Sequence, residues 1–519
     1  MAGINQWAPS FADIIALHGR WRAEQPALII GDEAMSWAAF DAATQAIARR
    51  LRADGIGAGD CVAVVMANGR AMVDVLFGIL RAGACSVPIN VSVSNAALAA
   101  MLADCGPKMV FASAGQAARL DSAEIAPAIA ALPRIVADGQ RQGWQSIDWW
   151  LEESVAAVPP WAIDPAAPAN VIYSSGTTGR PKGIVQSHGA RLAWARDCAL
   201  AFRYHEEART LCTIGLYSNI MWVAMLCTVL VGGTLVIEVG FDAARLRQRI
   251  PKLGISHMAM VPVQYQRLLD AGAGRQDLSS LRSAITVGSK MHRDLKRQVL
   301  AVLPNALFEL YGLTEGIITM QNPAEAAACP DSVGKPIMGC DIAVIDAETD
   351  RPLPSGATGE LVSRARFAMD GYLNRPDETA AATWHDDAGQ PWLRTGDIGR
   401  IDALGNIYIV DRKKDMILSG GQNIYPQDIE QVLSGHEAVA EVAVIGAASR
   451  RWGETPVALV VAAAGQHING AQLKDWCNSR VGKQQRVADV LIRDALPRNP
   501  NGKVLKRTLR AELADRIYD

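Results

Sequence analysis

The first half of the chain alternates between two periodicities of apolar residues. The segment FDAATQAIARRLRADG, residues 40–55, has apolar positions at helical spacing and ends at a glycine, as an amphipathic helix does. CVAVVMAN (61–68) is typical of a buried strand, and MVDVLFGILRAG (72–83) predicts a second helix with a terminal glycine. SVPIN (86–90) and KMVFAS (108–113) predict two short strands. This alternation predicts a mostly parallel β-sheet covered by helices on both faces.

The most apolar run of the chain is MWVAMLCTVLVGGTLVI, residues 221–237. Its 17 residues are at the short limit for a membrane span, and Gly232-Gly233 divides them. We therefore predict a buried helix, a glycine turn and a core strand, and no stable insertion into a membrane. The N-terminal residues also lack the basic segment followed by an apolar stretch that marks a signal peptide.

The pattern changes near residue 340. Strand and turn signals dominate 341–364, and 405–426 predicts a strand, a charged turn and another strand. Residues 411–415 (DRKKD) are five consecutive charged residues, which is typical of a solvated turn or a joint between domains. The segments that follow alternate between helix and strand. The predicted domains are 1–411, a large α/β domain, and 412–519, a small α+β domain.

Composition narrows the class of protein. The 519 residues exceed one ordinary core, so two or more domains are expected. The net charge is −2, which gives no long-range attraction to nucleic acid or to an anionic membrane. Nine cysteines are dispersed without a CxxC pair, as in a cytoplasmic protein with reduced thiols and no cysteine-bound metal.

The stretch SSGTTGRPKG, residues 174–183, combines glycines, hydroxyls and a lysine. The glycines let successive backbone N–H groups point inward and form an anion nest. The hydroxyls and the Lys182 ammonium add donors that suit a polyphosphate. Taken alone, a glycine-rich stretch is more often a flexible polar turn than a phosphate loop. The predicted phosphate-binding residues are Ser174, Ser175, Gly176, Thr177, Thr178, Gly179 and Lys182.

The same stretch resembles the phosphate loop of the adenylate-forming (ANL) superfamily, in its acyl-CoA synthetase and aryl-CoA ligase branch. Further motifs of that superfamily follow in order over nearly the whole chain: YGLTE at 311–315, GE at 359–360, RTGD at 394–397, DRKKDMILSGGQNIYPQDIE at 411–430 and NPNGK at 499–503. The resemblance implies an α/β fold. A large N-terminal domain of doubly covered β-sheets would carry a β-rich subdomain, beside a small mobile α+β C-terminal domain.

The resemblance also implies a reaction. A carboxylate attacks the α-phosphate of ATP, pyrophosphate leaves, and an acyl-adenylate remains. Two anions must meet, so the site needs positive charge and fixed geometry. The implied roles are adenine stacking for Tyr311, donation to the α-phosphate for Thr314, Mg²⁺ binding for Glu315, ribose binding for Asp397 and Arg412, and catalysis for Thr178, Glu315 and Lys503. Judged alone, a tyrosine such as Tyr311 is more often a core residue and an aspartate such as Asp397 more often a capping residue, and their place in the ordered set of motifs reverses this.

In the second half-reaction of the superfamily a thiol attacks the adenylate after the C-terminal domain has rotated. Lys414 matches the hinge position, and Lys506 is the weaker alternative to Lys503 as the catalytic lysine. Ser419, Gly420 and Gly421 match the loop that lines the pantetheine tunnel of coenzyme A. Trp452-Gly453-Glu454 lies where relatives contact coenzyme A. ATP, Mg²⁺ and coenzyme A are therefore the expected cofactors and co-substrates.

Three classes of function compete. A CoA ligase is the first, an adenylating enzyme with a carrier protein or an amine as acceptor is the second, and a degenerate nucleotide-binding relative is the third. The third is disfavoured because the motif residues are all present. Residues 213–220 contain no acidic side chain for a substrate amine, which disfavours amino-acid activation. The expected acid is aromatic or phenylpropanoid-like, and a medium-chain acid is the second choice. The sequence is also compatible with a homodimer.

The predicted acyl pocket is formed by Tyr217, Ser218, Gly288, Lys290 and Gly312. Ser218 stands where many relatives carry a carboxylate-positioning histidine. Lys290 is expected to point to solvent because lysines are rarely buried unpaired; the alternative is that it pairs with a polar group of the acid. The large side chains of Met221, Trp222, Val263 and Tyr265 favour a ring or a medium chain, unless they belong to the core.

Overall fold

The structure, a computed structural model, describes residues 8–152, 160–174, 181–419, 422–483, 485–498 and 503–518. Its internal contacts divide the chain into two units. The first unit is Met1–Pro330, Pro336–Asp341 and Ser363–Leu393, and the second is Asp331–Lys335, Ile342–Val362 and Arg394–Asp519. The predicted boundary between residues 411 and 412 is the point about which the C-terminal domain would rotate. A division of the chain by its contacts does not test that point, so the boundary stays a prediction.

The helices and strands follow in chain order. Up to residue 152 they are α1 (Phe11–Trp21), β1 (Pro26–Ile30), β2 (Glu33–Ser36), α2 (Trp37–Ala53), β3 (Cys61–Val65), α3 (Arg70–Ala82), β4 (Cys85–Pro88), α4 (Asn95–Cys105), β5 (Met109–Ala112), α5 (Ala114–Leu120), α6 (Ala126–Ile129), β6 (Arg134–Val136), β7 (Gln145–Ser146) and α7 (Ile147–Glu152). From residue 168 they are β8 (Pro168–Ser174), β9 (Lys182–Ser187), α8 (His188–Ala201), β10 (Arg209–Cys212), α9 (Asn219–Val231), β11 (Thr234–Ile237), α10 (Ala243–Leu253), β12 (His257–Met260), α11 (Pro262–Asp270), β13 (Ser283–Thr286), α12 (Arg293–Val302), β14 (Leu307–Leu313), β15 (Ile317–Gln321) and α13 (Pro323–Ala328).

The remaining elements are β16 (Lys335–Pro336), β17 (Cys340–Ile345), β18 (Gly359–Ala365), β19 (Gly371–Tyr372), α14 (Pro376–Ala381), β20 (Thr383–His385), β21 (Pro391–Ile401), β22 (Ile407–Arg412), β23 (Ile417–Ser419), β24 (Gln422–Ile424), α15 (Pro426–Ser434), β25 (Val439–Ser449), β26 (Gly453–Ala462), α16 (Gly470–Asn478), β27 (Asp489–Arg493), α17 (Lys506–Glu512) and β28 (Ile517–Tyr518).

The apolar run at 221–237 folds as predicted. Helix α9 ends at Gly232, whose φ of 77° lies in the left-handed region that glycine adopts without strain. Strand β11 follows at once and is fully buried. Over the described residues, no helix combines the length and the apolar character needed to cross a membrane.

Two large sheets form the first unit. One runs β15-β14-β13-β12-β10-β11-β1-β2, and the other runs β19-β9-β8-β4-β3-β5-β6-β7. Most neighbours in both sheets are parallel, and antiparallel pairs such as β14/β15 and β8/β9 lie toward one end. The carboxyl end of β14 and the hairpin of β8 and β9 carry the predicted nucleotide motifs.

The two sheets are covered by helices on both faces, as predicted. One core unites buried residues of both sheets, such as Val64 and Ile285, with Phe40, Phe77 and Trp222 of the helices α2, α3 and α9. Helices α10 to α12 cover the outer face of the first sheet, and helices α4 to α6 cover the outer face of the second. The unit is therefore a layered α/β structure.

The second unit contains two groups of strands. Strands β17, β18, β21 and β22 supply its β-rich part, in which β21 and β22 pair antiparallel. The other sheet runs β24-β23-β26-β25-β28, with β27 beside β26. Its two faces bury separate cores, one with residues of α15 and α16 and the other with residues of α17. The predicted β-rich and α+β parts are thus confirmed.

Candidate active site

The predicted phosphate loop connects two strands of one hairpin. Ser174 ends β8, Lys182 begins β9, and the two residues are cross-strand partners. The loop residues Ser175, Gly176, Thr177, Thr178 and Gly179 lie outside the described residues. The Lys182 ammonium forms an ion pair with Glu378 of α14 and lies 4.9 Å from the centre of the Tyr372 ring. A half-buried cation therefore stands at the exit of the loop.

The YGLTE motif lies at the turn between β14 and β15. The ladder closes at Leu313 and Ile317, so Thr314, Glu315 and Gly316 form the turn. Gly316 has a φ of 128°, and an added Cβ would lie 2.5 Å from the backbone of Ala368. A side chain at this position would clash, so the turn depends on glycine. The turn presents the Glu315 carboxylate, a hard oxygen ligand of the kind that Mg²⁺ prefers.

Tyr372 connects the two motifs. Its hydroxyl donates to Glu315 Oε1 at 3.1 Å, and its ring faces the Lys182 ammonium. Desolvation raises the pKa of the phenol, and the charge of the Glu315 carboxylate raises it further. Tyr372 is placed by pairing with Ile184 of β9. Tyr372 lies in none of the recognised motifs, so the sequence carries no signal that marks it.

The predicted acyl residues lie at the start of α9 and after β13. Ser218 is the N-cap of α9, where its hydroxyl accepts from the backbone N–H of Ile220. Gly288 has a φ of 91°, and an added Cβ would lie 3.2 Å from Ile220 and 3.3 Å from Val261. The side chain of Lys290 is exposed. Its charge is close enough to lower the pKa of the Glu309 carboxyl, and the net shift of that pKa is upward because desolvation dominates.

Three of the large side chains belong to the core. Met221, Trp222 and Tyr265 are at most 2% exposed. The Trp222 indole donates to the Leu216 carbonyl, and the Tyr265 hydroxyl donates to the Ile285 carbonyl. The core alternative is therefore correct for these three, and they give no support to a large aromatic pocket. Val263 is exposed.

The second unit brings the predicted ribose residues together. Asp397 of β21 and Arg412 of β22 are cross-strand partners, and Arg412 Nε lies 2.5 Å from Asp397 Oδ1. Asp397 is 1% exposed, so its carboxylate depends on this partner for compensation. The pair forms a donor and an acceptor side by side, which suits two neighbouring hydroxyls.

Lys503 belongs to the same charged neighbourhood. Its residue surface is exposed, yet desolvation among surrounding protein atoms lowers its pKa to about 8. The positive charges of Arg412 and Lys414 lower the pKa further. The carboxylates of Asp397 and Asp415 oppose this effect. Lys506, by contrast, is paired with Glu430 at 2.7 Å.

The residues on each side of Lys414 are both anchored. The Lys413 ammonium lies 2.9 Å from Glu360 Oε2 and 3.2 Å from the Ala347 carbonyl. Arg510 of α17 lies 2.9 Å from Asp415 Oδ1. Lys414 itself is exposed. The candidate hinge is therefore one residue between two fixed neighbours.

The candidate coenzyme A loop adjoins a second segment of the chain. Ser419 of β23 pairs with Gly453 of β26, and the Leu418 N–H donates to the Glu454 carboxylate at 2.9 Å. The neighbouring Trp452 is 45% exposed. The structure thus brings Ser419 and the 452–454 segment together, while Gly420 and Gly421 lie outside the described residues.

Comparisons with known proteins show the family of this chain. The AMP-binding enzyme family matches residues 18–373, and the AMP-binding enzyme C-terminal domain matches residues 428–503. The chain therefore belongs to the AMP-binding enzyme family, within the adenylate-forming superfamily. It is an enzyme of the AMP-forming acyl-CoA synthetase class.

Individual relatives span nearly the whole chain. An indoleacetate–CoA ligase of Aromatoleum aromaticum is 32% identical over 93% of this chain and 94% of its own. A fatty acid–[acyl-carrier-protein] ligase, ScoC, of Streptomyces coeruleorubidus is 31% identical over 95% of both chains. The structure of o-succinylbenzoate CoA synthetase (MenE) from Bacillus subtilis, in complex with an acyl-adenylate intermediate, matches with a TM-score of 0.84 at 27% identity. That match covers 97% of this chain and 98% of that structure.

Proposed function

We propose that this protein is a carboxylate–CoA ligase that forms an acyl-adenylate from ATP and an aromatic or phenylpropanoid-like acid, and then an acyl-CoA, AMP and pyrophosphate. A medium-chain acid is the second choice. The observation that carries the proposal is the contact of Tyr372 with both Lys182 and Glu315. The Tyr372 ring faces the Lys182 ammonium and its hydroxyl donates to the Glu315 carboxylate, so a cation and a carboxylate lie together beside the β8/β9 hairpin. The similarity to the indoleacetate–CoA ligase supports an aromatic acid and coenzyme A.

In the first half-reaction, Ser174, Lys182 and the loop hydroxyls, Thr178 among them, bind the phosphates. Glu315 would hold Mg²⁺, which neutralises phosphate charge when bound. Tyr311 stacks on adenine, and Asp397 with Arg412 binds the ribose. Thr314 donates to the α-phosphate. Lys503 stabilises the charge that develops as the carboxylate oxygen attacks phosphorus and pyrophosphate leaves.

In the second half-reaction, the C-terminal domain, residues 412–519, rotates about Lys414. The thiol of coenzyme A attacks the acyl carbonyl, and AMP leaves with the electron pair of the broken bond. Ser419, Gly420 and Gly421 line the path of the pantetheine arm. Support for the single-residue hinge comes from the anchored neighbours Lys413 and Asp415. Tyr217, Ser218, Gly288 and Gly312 surround the acid, and the exposed Lys290 points to solvent.

We also propose a cytoplasmic protein that acts on small molecules and can form a homodimer. The second candidate function is adenylation with a carrier protein or an amine as acceptor. The similarity to the fatty acid–[acyl-carrier-protein] ligase favours that alternative over a degenerate nucleotide-binding relative.

The test measures pyrophosphate release with ATP and Mg²⁺ over a panel of aryl, phenylpropanoid and medium-chain acids, each with and without coenzyme A. Exchange of pyrophosphate into ATP is followed in parallel. Acid-dependent release that turns over only with coenzyme A supports the ligase and identifies the acid. Acid-dependent exchange without stimulation by coenzyme A transfers the function to another acceptor. No exchange with any acid, despite measurable ATP binding, contradicts both.

A further inference from the structure

Three buried polar side chains lie on helix α8, strand β8 and strand β9, and one of them contacts the turn after β14. Arg191 Nε donates to Asn170 Oδ1 at 2.6 Å. Asn170 of β8 and Gln186 of β9 are cross-strand partners, so their side chains share one face of the sheet. Gln186 Nε2 donates to the Thr314 carbonyl at 2.8 Å. Arg191, Asn170 and Gln186 are at most 3% exposed.

Stability does not explain why these three polar side chains are buried. Within the described ranges, Nη1 and Nη2 of Arg191, Nδ2 of Asn170 and Oε1 of Gln186 have no hydrogen-bond partner. The Arg191 guanidinium instead lies 4.6 Å and 5.1 Å from the ring centres of Trp194 and Trp222. Desolvation accordingly lowers its pKa. Burial of a charge without an opposite charge is unfavourable, and apolar side chains of similar volume are usually at least as stable.

The Thr314 carbonyl, which accepts from Gln186, lies in a turn and not in a strand. The β14/β15 ladder stops at Leu313 and Ile317, so the Thr314 carbonyl lies beyond the regular strand pairing. Gln186 binds that carbonyl from β9, the strand that begins with Lys182. One amide therefore ties the turn that carries Thr314 and Glu315 to the strand that carries the phosphate-binding lysine.

We propose that Gln186 is a positioning residue that sets the Thr314–Glu315 turn for adenylate formation. The inference rests on the proposed function. Gln186 touches no reacting atom and acts through its hydrogen bond to the Thr314 carbonyl. Loss of this bond displaces the turn and slows adenylation, whereas attack of the thiol on a finished adenylate has little need of it.

The first test is Gln186→Leu, which removes the amide and keeps most of its volume. Because misplacement of reacting groups by about 1 Å costs up to about 100-fold, we expect kcat for acid-dependent pyrophosphate exchange to fall about 30-fold. Thioester formation from supplied acyl-adenylate and coenzyme A stays within about threefold of wild type, as does KM for the acid. If the leucine variant does not fold, the same measurements are made on Gln186→Met.

The matched control is Gln321→Leu. Gln321 is also fully buried, and its amide makes two hydrogen bonds, one accepted from Lys296 and one donated to the Cys329 carbonyl. It lies on strand β15, and both of these bonds are made away from the Thr314 carbonyl. We expect a loss of thermal stability at least as large as that of the Gln186 variant and a much smaller loss of exchange.

A second control is Arg191→Met, which removes a neighbouring buried polar group that donates to Asn170 and not to Gln186. We expect this variant to exchange within about threefold of wild type, because most of the loss comes from the bond to the Thr314 carbonyl. A Gln186 variant within threefold of wild type, or an equal loss in Gln321→Leu or Arg191→Met, overturns the inference while the proposed function stands. If wild type itself shows no exchange with any acid, the proposed function fails first and the inference with it.

Discussion

The two units hold their charged site residues in different electrostatic surroundings. In the first unit, Lys182 faces Glu378, and Glu315 accepts from a neutral phenol. In the second unit, Lys503 has two like charges nearby, and its pKa is lowered to about 8. These two site charges of the first unit thus meet complementary partners, a carboxylate for Lys182 and a hydroxyl donor for Glu315, whereas the second unit contains a cation whose pKa lies just above neutral pH. We infer that Lys182 and Glu315 serve mainly phosphate binding and that Lys503 controls the rate of adenylation.

The largest expected effect is that of Lys503→Ala. Loss of one preorganised charge at a developing negative charge costs roughly 100- to 1000-fold, and we expect pyrophosphate exchange to fall by that factor. Thioester formation from supplied adenylate should change less than about threefold, because the lysine acts in the first half-reaction. Lys506→Ala is the matched control, since Lys506 pairs with Glu430. Equal losses in both variants would contradict the assignment.

The pH profile sharpens the comparison. Lys503 must be protonated to stabilise negative charge, and its pKa is about 8 in the free enzyme. kcat/KM for exchange should therefore be constant below pH 8 and fall about tenfold for each pH unit above it. Arginine stays protonated throughout this range, so Lys503→Arg should lose the alkaline limb even if its rate is lower. An unchanged alkaline limb in this variant assigns the titration to another group.

The first unit contains two lysine–glutamate pairs with different expected roles, one in the stability of the protein and the other in the binding of ATP. Lys296 and Glu309 form a fully buried pair, and Lys296 also donates to the Pro330 carbonyl at 2.6 Å. Lys296→Met should destabilise the protein by about 3–5 kcal/mol, because it leaves a buried carboxylate. Lys182→Met should change stability by less than about 1 kcal/mol and raise KM for ATP about tenfold. Chemical denaturation and ATP-dependent exchange measure both, and the reverse pattern would refute the distinction.

Glu378→Gln tests whether the partner of Lys182 competes with phosphate. Lys182 must leave the Glu378 carboxylate to bind an anion, and removal of that charge makes this easier. We expect KM for ATP to fall about two- to threefold, with kcat unchanged, as a modest change in an exposed ion pair implies. A rise in KM would show that Glu378 orients the lysine instead.

The smallest effect is expected from Lys290→Ala. The lysine side chain is exposed, so the ranking of acids by kcat/KM should change less than about twofold, as for most surface substitutions. A selective loss of acids that carry a second polar or anionic group would instead place Lys290 in the acyl pocket.

Local signals predicted the elements well. Gly83 and Gly232 end the helices α3 and α9 as expected, because a left-handed residue at a helix end is a local property of glycine. The motif order led to the correct family. The stacking of two sheets around a shared helical layer was not predicted, since it depends on contacts between residues far apart in sequence.

Within the site, side-chain partners could not be read from the sequence. Tyr372 lies 57 positions from Glu315 and carries no motif that marks it. The pairing of Asp397 with Arg412 follows from the β21/β22 register, which includes an irregularity at residues 398 and 399. Trp222 is a residue beside the predicted pocket that belongs to the core, the alternative that the sequence had left open.

The most direct test of the account is detection of the intermediate. Wild-type protein is mixed with ATP, Mg²⁺ and the best acid of the panel, the reaction is quenched before coenzyme A is added, and acyl-AMP is measured by mass spectrometry. The account predicts acyl-AMP in an amount close to that of the enzyme, its conversion to acyl-CoA when coenzyme A follows, and almost none in Lys503→Ala. Acyl-CoA formation accompanied by ADP, or acyl-AMP that coenzyme A does not consume, would contradict it.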